Sequence, residues 1–500
     1  MNPIALGLLL AAVVAACAVN PVSRQSEVAL ISAEKERQLG DEAAREVEAE
    51  MGLVTDPALL AYVRQVGARL AKLSPRQDVS YTFQIVDIPE PNSFALPNGN
   101  IYVSRGLLAL AVTEDELAGT LAHELIHVAA RHTVRSANVA VATSPFRILT
   151  GIAGAATGIV APGLGEGIAG VGETASAAFL APYSRDQERE ADNRGLDLAA
   201  RAGYDPAGLP RLLECLEREA ALRREGPARQ SFFDSHPPTA ERVRDARERG
   251  ATLKPAPAAP VAATPQEFLA HLDGLLVGDN PQHGAFRDSR FFQPSLGITM
   301  QFPPDWTTRN TPHAVVGYTK DKEALMFLTV EAKGEDPVQV VRATEEETGA
   351  RLMEKATVME VNGLRAVRTL AAAESQRGPM TLDLTWIARG GVVYRLVGVS
   401  PAHRYAAYRP TFDHSVKSFR AMTAADAAQI RATRLRVVTT GEGESLADVA
   451  RRSGNVWSPE ELAVANRVAA NAKLAAGHLV KVAVSEPYRG SFDETESIAP

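Results

Sequence analysis

Cysteine is nearly missing from this 500-residue chain: Cys17 and Cys215 are the only two. One bridge at most is possible, so no disulfide framework holds the fold. Cys215 falls on the apolar side of a helical pattern with Leu212 and Leu216. A cysteine there reads as buried filler rather than a reactive thiol. Blocks of basic residues are missing too. Lys and Arg number 53 against 60 Asp and Glu, the net charge is −7, and the charges are interspersed. That leaves no electrostatic footprint for nucleic acid. The apolar start is short: the sixteen residues before Cys17 fall below the ~20 that a spanning helix needs.

What is present is ordinary globular composition, 45% hydrophobic and 23% charged, in a chain too long for one core, so two to four domains are expected. Residues 33–50 and 56–73 follow helical patterns, the second with Leu59, Leu60, Val63, Val66, Leu70 and Leu73 on one face. "VSYTFQIVD" (79–87) alternates as a strand, and "NSFALPNGNIYVSRGLLAL" predicts a strand, a Pro-Asn-Gly turn and a second strand, Asn100 to Ser104. A helix is expected over 114–136, and two more over 184–202 and 208–224. Between them, 139–182 is rich in Ala and Gly and carries only Arg147, Glu166 and Glu173 as charges. A mobile lid, a membrane-facing hairpin and a buried hairpin all fit that stretch. "LKPAPAAPVAATP" (253–265) predicts a Pro/Ala linker. It divides residues 17–252 from 266–420, where strands and helices mix without any acid–base or metal cluster. The last stretch, 434–485, reads strand–helix–helix–strand.

The chemistry concentrates in "TLAHELIHVAARH" (120–132). His123 and His127 are four apart, so a helix places both imidazoles on one face, one turn apart, able to share one metal. Glu124 lies beside them, in the H-E-x-x-H arrangement where a carboxylate can take a proton from a zinc-activated water. A helix carrying two solvent-facing histidines is the plainer alternative. The apolar flanks Leu117, Leu121, Leu125, Ile126 and Val128 argue for burial, where such groups need partners. His132, five residues after His127, falls off the shared face. Catalytic zinc takes three protein ligands. The sequence H-x-x-G-x-x-H that completes the metzincin site is absent. A glutamate from another helix is the other solution, and Glu188 and Asp192, i,i+4 in "YSRDQEREADNRG", provide a pair. One carboxylate can bind metal while the other orients an imidazole. A salt-bridged surface helix is the alternative for that pair.

"HELIH", "YSRDQEREAD" with "AGYDP", and "SHPPTAER" occur in that order and resemble metallopeptidase family 48, which includes the CAAX prenyl proteases, HtpX and the periplasmic protease BepA. The likeness covers roughly residues 20–250. It implies a mainly α zincin-type (gluzincin) protease domain with a small β-sheet. It implies one Zn2+ per chain held by His123, His127 and Glu188, with Glu124 as general base and Asp192 supporting a ligand. His236 of "SHPP" would either assist catalysis or cap the metal, with Arg242 nearby. The strand with Asn100, Ile101, Tyr102 and Val103 is similar to the family's substrate-binding edge, where an extended peptide adds by main-chain hydrogen bonds.

The N-terminus resembles a bacterial lipoprotein signal: residues 1–16 are apolar and end in Val14-Ala15-Ala16 before Cys17. That implies lipidation at Cys17. Ala18, rather than Asp, points to the periplasmic side of the outer membrane. No Lys or Arg precedes the apolar run, unlike the usual pattern. Residues 434–485 resemble a LysM module, through Gly441 to Leu446, Leu462, Asn466 and Ala476-Gly477, although Gly443-Glu444-Ser445 replaces Gly-Asp-Thr. Residues 266–420 resemble the α+β PsbP-like domains. Together these imply a zinc metalloendopeptidase of the cell envelope that acts on unfolded or extended polypeptides in quality control. The outer-membrane assembly machinery and peptidoglycan are the further partners implied, and nucleic acid is not. The alternative is an assembly factor or chaperone with a latent, His-capped protease site.

Overall fold

The computed structural model describes residues 17–24, 26–28, 31–135, 182–223, 232–237, 240–311, 314–375 and 378–490. The expected signal segment 1–16 lies outside them, as does the apolar segment 139–182 but for its last residue. Among the described residues no helix is long and apolar enough to cross a membrane. The chain forms two compact units. One takes in the described residues up to Gly278 and returns with Thr433–Ser485; the other is built from Asp279–Ala432.

The first unit is mainly helical. After a short antiparallel pair, Cys17–Val19 with Ser26–Val28, helix α1 spans Ala33–Met51 and α2 Pro57–Ala71. Ser32 caps α1, and Asp56 followed by Pro57 starts α2, each side chain accepting the exposed first-turn N–H groups. The apolar stripe of α2 is buried at Leu59, Val63, Val66 and Leu70, as its 3.6-residue period predicts.

Strands β1 (Thr82–Val86), β2 (Ser93–Ala95) and β3 (Asn100–Ser104) make a small sheet in the order β1-β3-β2. Strand β3 runs parallel to β1 and antiparallel to β2. It is therefore the middle strand, and the expected peptide-binding edge at Asn100, Ile101, Tyr102 and Val103 is not free. The tight turn at Gly99 (φ 96°) folds β2 back onto one edge of β3, and β1 pairs with the other. The outer side of β1 is covered by residues 52–54. The open edge belongs to β2.

Helices α3 (Arg105–Leu110) and α4 (Glu114–Ala129) follow. Thr113 caps α4, and Glu114, Asp115 and Glu116 complement its dipole. Helix α4 stops short of the expected 136. Arg131 takes a left-handed conformation (φ 57°), and a new helical turn begins at 132. Helix α5 (Arg185–Arg201) opens with a capping box formed by Ser184 and Gln187. Helices α6 (Gly208–Arg223), α7 (Phe232–Ser235), α8 (Ala240–Thr252) and α9 (Pro265–Leu272) complete this part. The Pro/Ala segment lies along the helices. Val261 N–H donates to Glu114 at 2.6 Å and Ala256 N–H to the Ala200 carbonyl at 2.8 Å.

The second unit is built on a seven-stranded antiparallel sheet. It contains β4 (Ala285–Arg287), β5 (Arg290–Gln293), β6 (Ile298–Gln301), β7 (Thr307–Asn310), β8 (Val315–Tyr318), β9 (Leu325–Lys333), α10 (Pro337–Thr348), β10 (Thr357–Val361), β11 (Leu364–Ser375), β12 (Gly378–Arg389), β13 (Val392–Pro401) and α11 (Tyr405–Ser418). The large sheet runs β10-β11-β12-β13-β9-β8-β7, and β4 to β6 form a smaller sheet with Arg420–Ala421. Alternating side chains divide between two apolar clusters. Leu382, Leu384 and Trp386 pack with Val341 of α10, and Ile387, Tyr394 and Leu396 pack with Phe412 of α11.

The C-terminal module has β14 (Arg431–Thr439), α12 (Leu446–Ser453), α13 (Pro459–Asn466) and β15 (Leu479–Pro487), the expected strand–helix–helix–strand order. Its residues Thr433–Ser485 belong to the helical unit. Leu435 exchanges main-chain hydrogen bonds with Gly274 and Leu275 at 2.8 and 2.7 Å. The buried Lys481 ammonium donates to the carbonyls of Ala109, Leu110 and Ala111 at 2.7, 3.0 and 2.8 Å, satisfying the otherwise open end of α3. Arg467 pairs with the buried Glu116 of α4 at 3.0 Å. Cys215 is buried, and its sulfur packs against the Val464 carbonyl.

Candidate active site

Helix α4 brings its histidines to one point because it is buried along nearly its whole length and packs directly on α5. Gly195 permits that contact. A Cβ added there would stand 3.1 Å from the main chain of His123. Glu188 and Asp192, one turn apart on α5, thereby reach the α4 histidines.

The four side chains His123, His127, Glu188 and His236 offer ligand atoms that all lie within 4.8 Å of one another, and all four are buried. His123 Nε2 and His127 Nε2 are 3.0 Å apart. Glu188 Oε1 lies 3.3 Å from His127 Nε2 and 2.9 Å from His236 Nδ1. His236 Nδ1 is 3.3 Å from His123 Nε2. Asp192 stands behind the cluster, 3.0 Å from His123 Nδ1. Arg242 clasps Asp192 with two hydrogen bonds of 2.5 and 2.9 Å and also pairs with Glu188. The sequence-selected residues His123, Glu124, His127, Glu188, Asp192, His236 and Arg242 thus share one buried site. Residues 100–103 do not line it as an open edge, and the side chain of Cys17 lies outside the description.

The electrostatics suit a cation. Burial pushes His127 well below the ordinary imidazole range, so it is a neutral lone-pair donor. Burial opposes the charge on Glu188, but His236, Arg242 and His127 outweigh it and hold the carboxyl well below its usual range. Burial likewise opposes the charge on His236, and Glu188 and Glu124 outweigh it, raising that imidazole's pKa. Two ring nitrogens 3.0 Å apart beside an ionised carboxylate are a donor set that a metal ion satisfies. Glu124 fits as the neighbouring base. Its Oε1 accepts from Ser93 Oγ at 2.7 Å, and its buried Oε2 has no hydrogen-bond partner.

Several participants were not singled out from the sequence. Ser93 reaches Glu124 from β2, although it stands in the quoted "NSFALP". Tyr183, the first residue of "YSRDQEREAD", stacks on His127 with ring centres 3.9 Å apart. Phe232 stacks on His236 at 4.4 Å. His132, expected off the site, is a correction: its Nδ1 lies 3.0 Å from His127 Nδ1. The break at Arg131 turns it back, which a continuous helix would not do.

The main chain of β2 bears on access. Leu96 N–H donates to Asn100 O at 2.8 Å and Ser104 N–H to Asn92 O at 2.8 Å. By antiparallel alternation the main-chain groups of Ser93 and Ala95 then face outward. His236 Nε2 lies 3.3 Å from Ser93 O, and Phe232 N–H donates to Pro91 O at 3.1 Å. The segment 232–236 sits on the edge that a further strand would use.

The model for peptidase family M48 matches residues 57–250. The chain is 34% identical to the metalloprotease YcaL of Escherichia coli (strain K12) over 193 residues, 38% of this chain and 71% of that one. It is 28% identical to a beta-barrel assembly-enhancing protease of Yersinia pestis over 243 residues, 48% of each chain. It therefore spans about half the length of that relative. The solution structure of cyanobacterial PsbP from Synechocystis sp. PCC 6803 aligns with 27% of this chain and 95% of that chain, at 10% identity and a TM-score of 0.22.

Proposed function

Because the chain belongs to peptidase family M48, we propose that it is a zinc-dependent endopeptidase of the bacterial cell envelope, hydrolysing peptide bonds of misfolded or mistargeted envelope proteins. One observation carries the reading: His123 Nε2, His127 Nε2 and the Glu188 carboxylate converge in a buried space beside Glu124, whose Oε2 is unpartnered. Bound by those three residues, zinc would supply Lewis acidity to a peptide carbonyl and to a water. The remaining work falls to the chain itself. Ser93 Oγ holds Glu124 Oε1, which leaves Oε2 to take a proton from the attacking water and return it to the leaving nitrogen. Asp192 orients the His123 ring, and Arg242 keeps Asp192 ionised and in place. An extended substrate adds to β2 through the outward main-chain groups of Ser93 and Ala95, a binding mode that reads little sequence.

The second reading, an assembly factor with a latent protease site, rests on His236. Its Nδ1 lies among the ligand atoms while its Nε2 takes Ser93 O, so one side chain fills the fourth position and blocks the substrate edge. The beta-barrel assembly-enhancing relatives favour the outer-membrane assembly machinery as a partner. Lipidation of Cys17 would hold the protein on the periplasmic side of the outer membrane. Residues 434–485 fit a LysM-like module, and the docking of Lys481 into the helical unit supports a structural role over glycan binding.

The test is Glu124→Gln. The proposal expects cleavage of an unfolded model protein to vanish while zinc stays stoichiometric. Retained complementation of a deletion strain by that variant favours the latent reading, and purified protein without zinc overturns both.

A further inference from the structure

The two histidines of the H-E-x-x-H pair are supported from behind by different devices. His123 Nδ1 has a carboxylate beside it, Asp192 Oδ1 at 3.0 Å. His127 Nδ1 faces another histidine instead, with His132 Nδ1 at 3.0 Å. Behind His132, its Nε2 lies 3.1 Å from Glu190 Oε2, and Arg135 Nη1 lies 3.7 Å from the same oxygen. His132 is fully buried, and Glu190 is at the boundary with solvent. The three side chains form a line from the surface to the cluster.

Resting on the zinc reading above, we propose that His132 is a positioning residue, which with Glu190 fixes the tautomer and orientation of His127 so that Nε2 presents its lone pair to the metal. For the His127 proton, His132 Nδ1 at 3.0 Å is a closer acceptor than Glu188 Oε1 at 3.3 Å, and with His132 as the partner the proton accounting along the line has one solution. An ionised Glu190 only accepts, so His132 Nε2 carries a proton. A neutral His132 then has a bare Nδ1, which only accepts. His127 Nδ1 must donate to it, and the lone pair of neutral His127 is left on Nε2, on the side of His123 and Glu188. Tyr183, stacked on the His127 ring and hydrogen-bonded through its hydroxyl to Thr133 at 3.0 Å, keeps that ring in the plane where the bond is made. The line exists because Arg131 breaks the helix; on an uninterrupted helix, His127 and His132 would be about 140° apart around the axis.

The relay should be visible in metal-free protein and in metal affinity. In the wild type, nitrogen-15 shifts of metal-free protein should show His127 in the Nδ1–H form. In His132→Phe, which has no acceptor, the two tautomers should mix, and the zinc dissociation constant from chelator competition should rise about 10- to 100-fold, the usual cost of losing such a partner. His132→Asn, whose amide oxygen can accept, should recover part of the loss. Glu190→Ala, nearer the surface, should weaken zinc by about 3- to 10-fold by freeing the His132 proton, less than the loss of His132 itself. The inference is overturned if Glu190→Ala and His132→Phe both bind zinc within twofold of wild type, or if His127 keeps one tautomer in His132→Phe. Failure of the wild type itself to bind zinc would sink the zinc reading. The tautomer measurement, made without metal, decides the relay in either case.

Discussion

His236 Nε2 lies 3.3 Å from the main-chain oxygen of Ser93, on the edge of the small sheet that faces Glu124. A peptide strand adding to β2 and the His236 side chain compete for that oxygen. Removing the side chain with His236→Ala should therefore raise proteolysis of an unfolded protein. The gain is about tenfold if the open form is about a tenth of the population. A large fall in initial rate would instead assign His236 to the transition state.

Ser93 should matter to turnover more than to binding. Its hydroxyl holds one oxygen of Glu124 and leaves the other unpartnered. Ser93→Ala is expected to lower kcat on the order of tenfold with KM and zinc content little changed, against about 10² to 10⁴ for Glu124→Gln. Steady-state kinetics with a quenched peptide would separate the two. Equal losses in both variants would mean that Ser93 does more than hold the base.

Gly195 is a packing requirement for the site. A methyl group there meets the His123 main chain at 3.1 Å, and main chain does not yield as a flexible side chain does. Gly195→Ala should cost about 1–3 kcal/mol of stability by overpacking. It should also weaken zinc binding, because α5 carries both Glu188 and Asp192. Unaltered affinity by chelator competition would show that the two helices accommodate the methyl without moving the ligands.

The acid stability of the metal-free protein should depend on Arg242. Against the opposing effect of burial, Arg242 holds Asp192 below 3.8, and with His236 it holds Glu188 below 4.5. Groups whose folded pKa is depressed bind fewer protons folded than unfolded. The stability they add is therefore complete above about pH 4.5 and drains as pH falls through the depressed values. Arg242→Met should flatten that acid limb in denaturant midpoints measured from pH 7 to pH 3. An unchanged limb would place the acid sensitivity elsewhere.

Lys481 should be a stability residue for the helical unit. Its ammonium satisfies three carbonyls at the end of α3. Lys481→Met leaves the Ala109 and Ala111 carbonyls without that donor, while Leu110 keeps Arg467 at 3.3 Å, and should cost about 2–4 kcal/mol, read as a shift in the guanidinium midpoint. A neutral outcome would mean that water replaces the ammonium there.

The two helical pairs of the cluster were legible in the sequence because their signals are local, whereas Glu188 as third ligand and His236 beside it came only from the family resemblance. Four residues on a helix set His123 against His127, and four set Glu188 against Asp192, whatever the rest of the chain does. The same holds for the apolar stripe of α2 and the strand–helix–helix–strand order near the C-terminus. These follow from side-chain period and capping, which short stretches of chain decide.

The corrections concern what long-range contacts decide. The pattern around Asn100 predicts a strand, but not which strands flank it. Only the fold puts β3 in the middle and gives the open edge to β2, bringing Ser93 to Glu124. His132 misled because helical spacing assumes an unbroken helix, and the left-handed Arg131 cannot be read from its neighbours. Lys481 and Glu190 gave no signal at all, since each has its role only through residues far away in sequence. Spacing along one helix determines which ligands can share a face. Which side chains orient them, which edge stays open and what covers it are set by the packing of separate elements, and that is a property of the tertiary structure alone.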